Sequence, residues 1–307
     1  MVKFSILITT KNRLQDLIFT LDKINYLLER RDVECILCDD GSTDGTFDYI
    51  KEHFPKIAIF RNEASKGLIF SRNVLLEKTT AKYAISIDDD LHFITENPFE
   101  IIESYFENNS SCGLVSYRIF WSKSNLESSF TSDKPMRVKS FAGGAHAWKM
   151  SAWKSIPNYP DWFVFYGEED FAAYQLFKKN IEIHYLPAVL VHHRVDVQAR
   201  KSNHDYQLRQ RRSFRSGWYL YFLFYPLSVI PKKLMYTLWI QIKTKTLKGD
   251  FKATLGIIQA LFDVIVNFPK LLKQSNRLSK NEYQSFLKLP PTQLYWKPEY
   301  KKSDFRK

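Results

Sequence analysis

Tyr83 to Leu91 reads YAISIDDDL: a short, β-prone apolar run that ends in three consecutive aspartates. A run of this length and composition fits a buried strand. Adjacent carboxylates repel one another, and folding alone gives no reason to gather three at a strand's end. A divalent cation bound through oxygen removes that cost. An acidic triplet by itself is more often a solvated loop, but its place directly after an apolar strand favours a cation site.

Working outward, FSILITT (4–10), VECILCDD (33–40) and IAIF (57–60) are further apolar runs. Between them Leu14, Leu17, Ile18, Leu21, Ile24 and Leu28 recur at helical spacing, a helix capped by Ser42 or Thr43 runs toward His53, and Gly67 to Lys78 is helical again. Such alternation predicts an α/β fold, a Rossmann-like domain whose central sheet is mostly parallel and covered on both faces. Ligands in these sheets sit beyond the carboxyl ends of the strands. Those ends carry Thr9-Thr10, Asp39-Asp40 and Asp88-Asp89-Asp90. Neither G-x-G-x-x-G nor G-x-x-x-x-G-K-[ST] occurs, so dinucleotide and P-loop readings have no support.

The 307 residues are 45% hydrophobic and 25% charged, an ordinary globular balance, with a net charge of +12. The charge is uneven: residues 196–307 carry 22 basic and 7 acidic side chains, residues 1–195 carry 23 and 26. We therefore expect a catalytic α/β domain over 1–200 and a basic, aromatic-rich helical extension over 201–307. The N-terminus lacks a signal-peptide pattern. Three cysteines are too few for a disulfide framework, so a reducing compartment is expected. Cys35 and Cys38 form a C-x-x-C inside a strand pattern and read as core. The longest uncharged stretch, Ser216 to Pro231, has 16 residues and is too short to span a bilayer.

ILITTKNR, CDDGSTDGT, Lys66-Gly67 with Ser71-Arg72-Asn73, SIDDDL, AGGAHAW, GEEDF and LPAVLVHH occur in an order that resembles glycosyltransferase family 2, enzymes of the GT-A fold. The resemblance covers residues 1 to about 200, and the tail is more weakly similar to bacterial members that build polysaccharides. It implies that Asp90 and His192 bind Mn²⁺ or Mg²⁺, and that Asp88 or Asp89 contacts the donor's ribose. Asp40 would accept from a uracil N–H, with Thr9 and Arg72 lining the nucleotide site. Asp170 would be the base of an inverting transfer, with Glu169 beside it as the second candidate. Gly143 and Gly144 would let the backbone approach the donor sugar, and Trp162 could stack on an acceptor. His192 and His193 are adjacent on a strand pattern, so only one should reach the metal.

RQRRSFRSGWYLYFLFYPLSVIPKKL interleaves arginine and aromatic residues. Farther on, Phe251, Leu255, Ile258, Phe262 and Ile265 make an apolar stripe opposite Lys252, Gln259, Asp263 and Asn267. These features suit an anionic membrane surface; a helical subdomain packed on the core is the other reading, and no nucleic-acid motif accompanies the charge. The expected activity is transfer of a sugar from a nucleotide diphosphate, with UDP foremost, to a glycan or lipid-linked saccharide at the cytoplasmic face of a bacterial membrane. A sugar nucleotidyltransferase and a non-catalytic membrane- or nucleic-acid-binding protein are the alternatives.

Overall fold

The computed structural model describes residues 2–195 and 205–298; the expected boundary at 200/201 lies outside the described residues. Strands β1 (Phe4–Thr10), β2 (Val33–Asp39), β3 (Ala58–Arg61) and β4 (Tyr83–Asp88) pair in parallel, connected by helices α1 (Leu14–Leu28), α2 (Thr46–His53) and α3 (Leu68–Lys78). Helix α2 starts later than Ser42 or Thr43 would place it. Gly41 and Gly45 adopt φ of +76° and +82°, and Asp44 accepts from the Thr46 backbone N–H at 3.2 Å.

After β4 the chain forms β5 (Leu91–Phe93), α4 (Pro98–Asn108), β6 (Cys112–Trp121), β7 (Met136–Val138), β8 (Ala145–Lys149), α5 (Met150–Trp153), α6 (Glu168–Lys178) and β9 (Glu182–His193). The nine strands run β3-β2-β1-β4-β8-β6-β9-β5, with β7 also on β9. Strand β6 is parallel to β9, but the β4–β8, β6–β8, β5–β9 and β7–β9 pairings are antiparallel. The sheet is thus parallel where strand and helix alternate, and mixed where they do not.

One apolar layer joins β1 and β4 to α1 and α4 through Ile6, Leu17, Ile85 and Phe99. The other joins Leu7, Trp148 and Phe171 to the C-terminal helices α7 (Tyr206–Phe224), α8 (Ile230–Thr244), α9 (Phe251–Lys273) and α10 (Lys280–Lys288). Trp218, Leu223, Phe224, Tyr283 and Phe286 belong to this second layer, so the helical extension shares the core of the α/β domain. Cys35 and Cys38 are buried, one in each layer, and both are free thiols; burial pushes Cys35 up to about 12.

Helix α9 lies on α7 through a face of small and apolar residues, Ala253, Gly256, Ile257, Ala260 and Val264, that also carries the buried Asp263. Asp263 is 8% exposed and pairs with Arg211 at 2.6 Å, while Asn267 donates to the Tyr219 hydroxyl at 2.8 Å. A Cβ at Gly256 would stand 3.2 Å from both the Gln207 carbonyl oxygen and the Arg211 nitrogen, which shows how closely the helices approach. The apolar stripe faces outward: Phe251 is 83% exposed, Ile258 58%, Phe262 64% and Ile265 71%. Met235, Tyr236 and Trp239 of α8 and Leu247 are also exposed. By length and composition α9 could cross a membrane.

Candidate active site

A cavity of about 630 Å³ opens where the carboxyl ends of β1 and β4 meet the end of β9 and the first half of α7. Thr9, Asp40 and Asp88 to Asp90 line it, together with Lys11, Arg13, His193, Arg209 and Arg212. Its size is that of an ordinary small-ligand pocket.

Alternation along the chain splits the aspartate triplet. Asp89 turns to Thr10, whose hydroxyl donates at 2.8 Å, and burial with its acidic neighbours raises its carboxyl to about 8 despite Arg13. Asp88 and Asp90 turn to His193, whose Nε2 is 2.9 Å from Asp90 and 3.8 Å from Asp88. Arg13 approaches Asp90 at 2.6 Å and Asp89 at 3.4 Å. Burial opposes ionisation of Asp90, but His193 and Arg13 prevail and hold its carboxyl well below the usual carboxylate range. Ligand atoms of Asp88, Asp90 and His193 all lie within 4.8 Å of one another. Two carboxylate oxygens and an imidazole nitrogen form a donor set that could hold a divalent cation such as Mn²⁺ or Mg²⁺.

The structure places His193, not His192, at this cluster. The β5–β9 register pairs His193 with Leu91 and His192 with His92. The His192 Nε2 lies 2.7 Å from the Ser122 carbonyl oxygen, and its ring packs against His92 and Phe120. His193 stacks on Trp121, which stacks on Tyr295 near the C-terminus, so the tail braces the imidazole.

Behind the cluster Arg72 is buried and donates to Glu168 at 2.6 Å and to Asp88 at 3.1 Å. Burial disfavours the cation, yet Glu168, Asp88 and Glu169 keep it charged. It does not line the large cavity, so its geometry is that of a brace between the end of β4 and the start of α6, not of a phosphate contact. Gly143 and Gly144 pass through the same space. A Cβ on Gly144 would fall 2.1 Å from an Asp88 oxygen, and one on Gly143 would fall 2.2 Å from Glu169. Only glycine leaves room for these carboxylates.

Glu169 therefore borders the Gly143–Asp88 side, and Asp170 follows it in the first turn of α6, outside the cavity lining. Asp170 keeps access to solvent within crowded surroundings. Desolvation, with Glu169 adding to it, raises its carboxyl to about 6. The segment leading into α6 is strained, since Val164 and Tyr166 have φ of +68° and +70°. Arg215 of α7 donates to the Phe163 carbonyl and holds this segment.

Asp40 lines the cavity, but its oxygens accept from Ser65, Asn62, Lys66 N and Gly67 N at 2.6–3.0 Å. Those four donors fill a carboxylate's acceptor capacity, so a base N–H must displace one of them. Trp162 packs on Phe163 and Tyr219 with the Lys270 ammonium 4.3 Å from its ring, outside the cavity lining. The sequence reading missed Arg13 and misassigned the arginines of α7. Arg211 and Arg215 hold internal contacts, and Arg212 faces the cavity. The TTKNR run after β1 was the available signal for Lys11 and Arg13; none existed for the face that Arg212 takes.

Residues 5–151 match the model of glycosyl transferase family 2. The match takes in just under half of the chain, so over these residues the chain is similar to the glycosyl transferase family 2 domain. Over 66 residues it is 35% identical to WfaP of Escherichia coli, described as a UDP-Glc:α-D-GlcNAc-diphosphoundecaprenol β-1,3-glucosyltransferase; the match covers 21% of this chain and 26% of that protein. Similar solved structures include GalNAc-T7 with UDP, GalNAc and Mn²⁺ (TM-score 0.60, 14% identity, 88% of this chain and 58% of that one). Another is the mannosyltransferase PcManGT of Pyrobaculum calidifontis with GDP-Man and Mn²⁺ (TM-score 0.54, 14% identity, 93% and 78%). At these identities the structures support the shared GT-A architecture.

Proposed function

We propose that the chain is a metal-dependent inverting glycosyltransferase that moves a sugar from a UDP-sugar onto a lipid-linked saccharide at an anionic membrane surface, in cell-surface polysaccharide synthesis. The observation that carries this reading is the Asp88–Asp90–His193 cluster in the cavity at the carboxyl edge of the parallel strands. A divalent cation held there would neutralise charge on the departing diphosphate. Asp88 and Asp90 would supply the oxygen ligands and His193 the nitrogen ligand. Arg72 fixes Asp88, and Gly143-Gly144 leaves room for the Asp88 and Glu169 carboxylates. Inversion requires one base that takes the acceptor hydroxyl's proton as its oxygen attacks the anomeric carbon. Asp170 is our choice because it matches the base position of the resembled E-D motif at the start of α6, and burial with Glu169 raises its carboxyl to about 6. Glu169, nearer to Asp88, is the second candidate.

The lipid-linked acceptor draws support from the description of the E. coli relative and from the outward apolar face of α8 and α9. Lys232, Lys233, Lys243, Lys252 and Lys273 lie on the same two helices. Exposed apolar residues beside lysines suit an interfacial helix that lies in the headgroup layer. The inward pairing of Asp263 with Arg211 ties α9 to α7 and favours that position over a spanning one. UDP titrated into the protein with and without Mn²⁺ tests the donor site. Tight binding with Mn²⁺ that is lost in Asp90→Ala supports the reading, and metal-independent binding in both proteins removes it.

A further inference from the structure

We propose that Arg212, with Arg209 one helical turn before it and Lys11 across the cavity, forms a subsite for the phosphate groups through which an acceptor is attached to its lipid. The inference rests on the glycosyltransferase reading above and adds the part of the acceptor that is recognised.

Arg212 lines the cavity half-buried and has no carboxylate partner among the described residues. Burial is the main influence against its charge and outweighs the favourable field of Asp205, while Arg211 and Arg209 add to the opposition. Arg209, which also lines the cavity, pairs with Asp205 at 2.7 Å through its Nε. A half-buried, unpaired guanidinium is costly unless an anion completes it, and its planar donor fork matches phosphate. Arg13 on the other wall is engaged by Asp16, Asp89 and Asp90, so the two cationic groups serve different places.

The position of the subsite also fits a lipid carrier. Arg209 and Arg212 lie on one side of α7, while Gln207 and Arg211 on another side meet Gly256 of α9. The outward stripe that begins at Phe251 and Leu255 therefore starts beside the arginine-bearing turns. A lipid diphosphate could place its charge at the arginines and its chain along α9, presenting the attached sugar to the cavity.

The test uses the full chain saturated with UDP and Mn²⁺, so that the donor's diphosphate position is filled. Farnesyl diphosphate is then titrated in, with farnesol as the uncharged control. UDP–Mn²⁺ binding by the wild type checks the parent reading in the same experiment. We expect farnesyl diphosphate to bind at least about tenfold more tightly than farnesol, the scale of one charge-assisted phosphate contact. Arg209→Gln/Arg212→Gln should remove that advantage, and Arg209→Lys/Arg212→Lys should restore most of it. UDP binding and sedimentation with phosphatidylglycerol vesicles should be unchanged in both, which also reports an intact fold. Equal farnesyl diphosphate affinity in the glutamine variant overturns the proposal. Loss of UDP binding would instead assign the arginines to the donor, and loss of vesicle binding alone would assign them to lipid headgroups; either result also overturns it.

Discussion

Replacing Gly144 by alanine should disable the metal cluster while leaving the domain folded. The added Cβ would stand 2.1 Å from one Asp88 oxygen and 2.6 Å from its Cγ. Ordinary carbon contacts need about 3.5 Å, so Asp88 must retreat by roughly 1 Å. Metal ligands tolerate errors of about 0.2 Å, and Arg72 restrains the carboxylate from behind at 3.1 Å. Asp88 would therefore be lost as a ligand. Mn²⁺ affinity, read by electron paramagnetic resonance titration with UDP present, should fall about 10–100-fold. Overpacking should cost about 1–3 kcal/mol of stability, which thermal melting would detect without unfolding the protein. The same chemical change at Gly217, within α7 and with nothing within 4 Å of its Cβ position, should stabilise by about 1 kcal/mol and leave Mn²⁺ binding alone. A Gly144→Ala protein that binds Mn²⁺ like the wild type would refute the placement of Asp88 at the metal.

His193→Ala should lower Mn²⁺ affinity by about tenfold or more, the cost of a lost ligand interaction, whereas His192→Ala should leave it unchanged; the reverse order would restore His192 as the ligand. If Asp170 is the base, kcat should fall tenfold per unit as pH drops below about 6, because the proton-accepting carboxylate is then neutralised. Asp170→Asn should lower kcat by about 10² or more and abolish that limb; if Glu169→Gln does so instead, the roles exchange. Substituting serine at Phe251, Ile258, Phe262 and Ile265 together should reduce sedimentation with anionic vesicles. Arg211→Ser should instead cost about 1–3 kcal/mol of stability, because the buried Asp263 then keeps only Arg215, at 3.7 Å, and vesicle binding lost only in the arginine variant would contradict this assignment.

The parallel half of the sheet was legible because its strands are apolar runs separated by periodic helices, and the same pattern placed Asp88 to Asp90 at the ligand edge. Pairing among β5, β6, β8 and β9 was not, since nothing local in CGLVSYRIF or LPAVLVHH sets which neighbour a strand takes. That register decides between His192 and His193: alternation says one must face the metal, but only the β5–β9 pairing says which. Arg72 matched its motif, yet its burial between Glu168 and Asp88 depends on how α6 docks, which no local sequence feature records. The apolar stripe of α9 was legible, but not that it faces outward while Ala253, Gly256, Ile257, Ala260 and Val264 pack inward around Asp263. Its orientation followed from a distant charge pair, Arg211 with Asp263, and from close backbone approach at Gly256.

The central claim is metal-assisted sugar transfer at the Asp88–Asp90–His193 cluster. It is tested most directly by incubating the full chain with a panel of nucleotide sugars and a farnesyl-diphosphate-linked saccharide, with Mn²⁺ or with excess chelator, and following both free nucleotide diphosphate and the extended saccharide. The account predicts equal amounts of nucleotide diphosphate and extended product from one donor in the wild type, and neither product with chelator or in Asp90→Ala. Extended product formed equally well with chelator, or in Asp90→Ala, would contradict it.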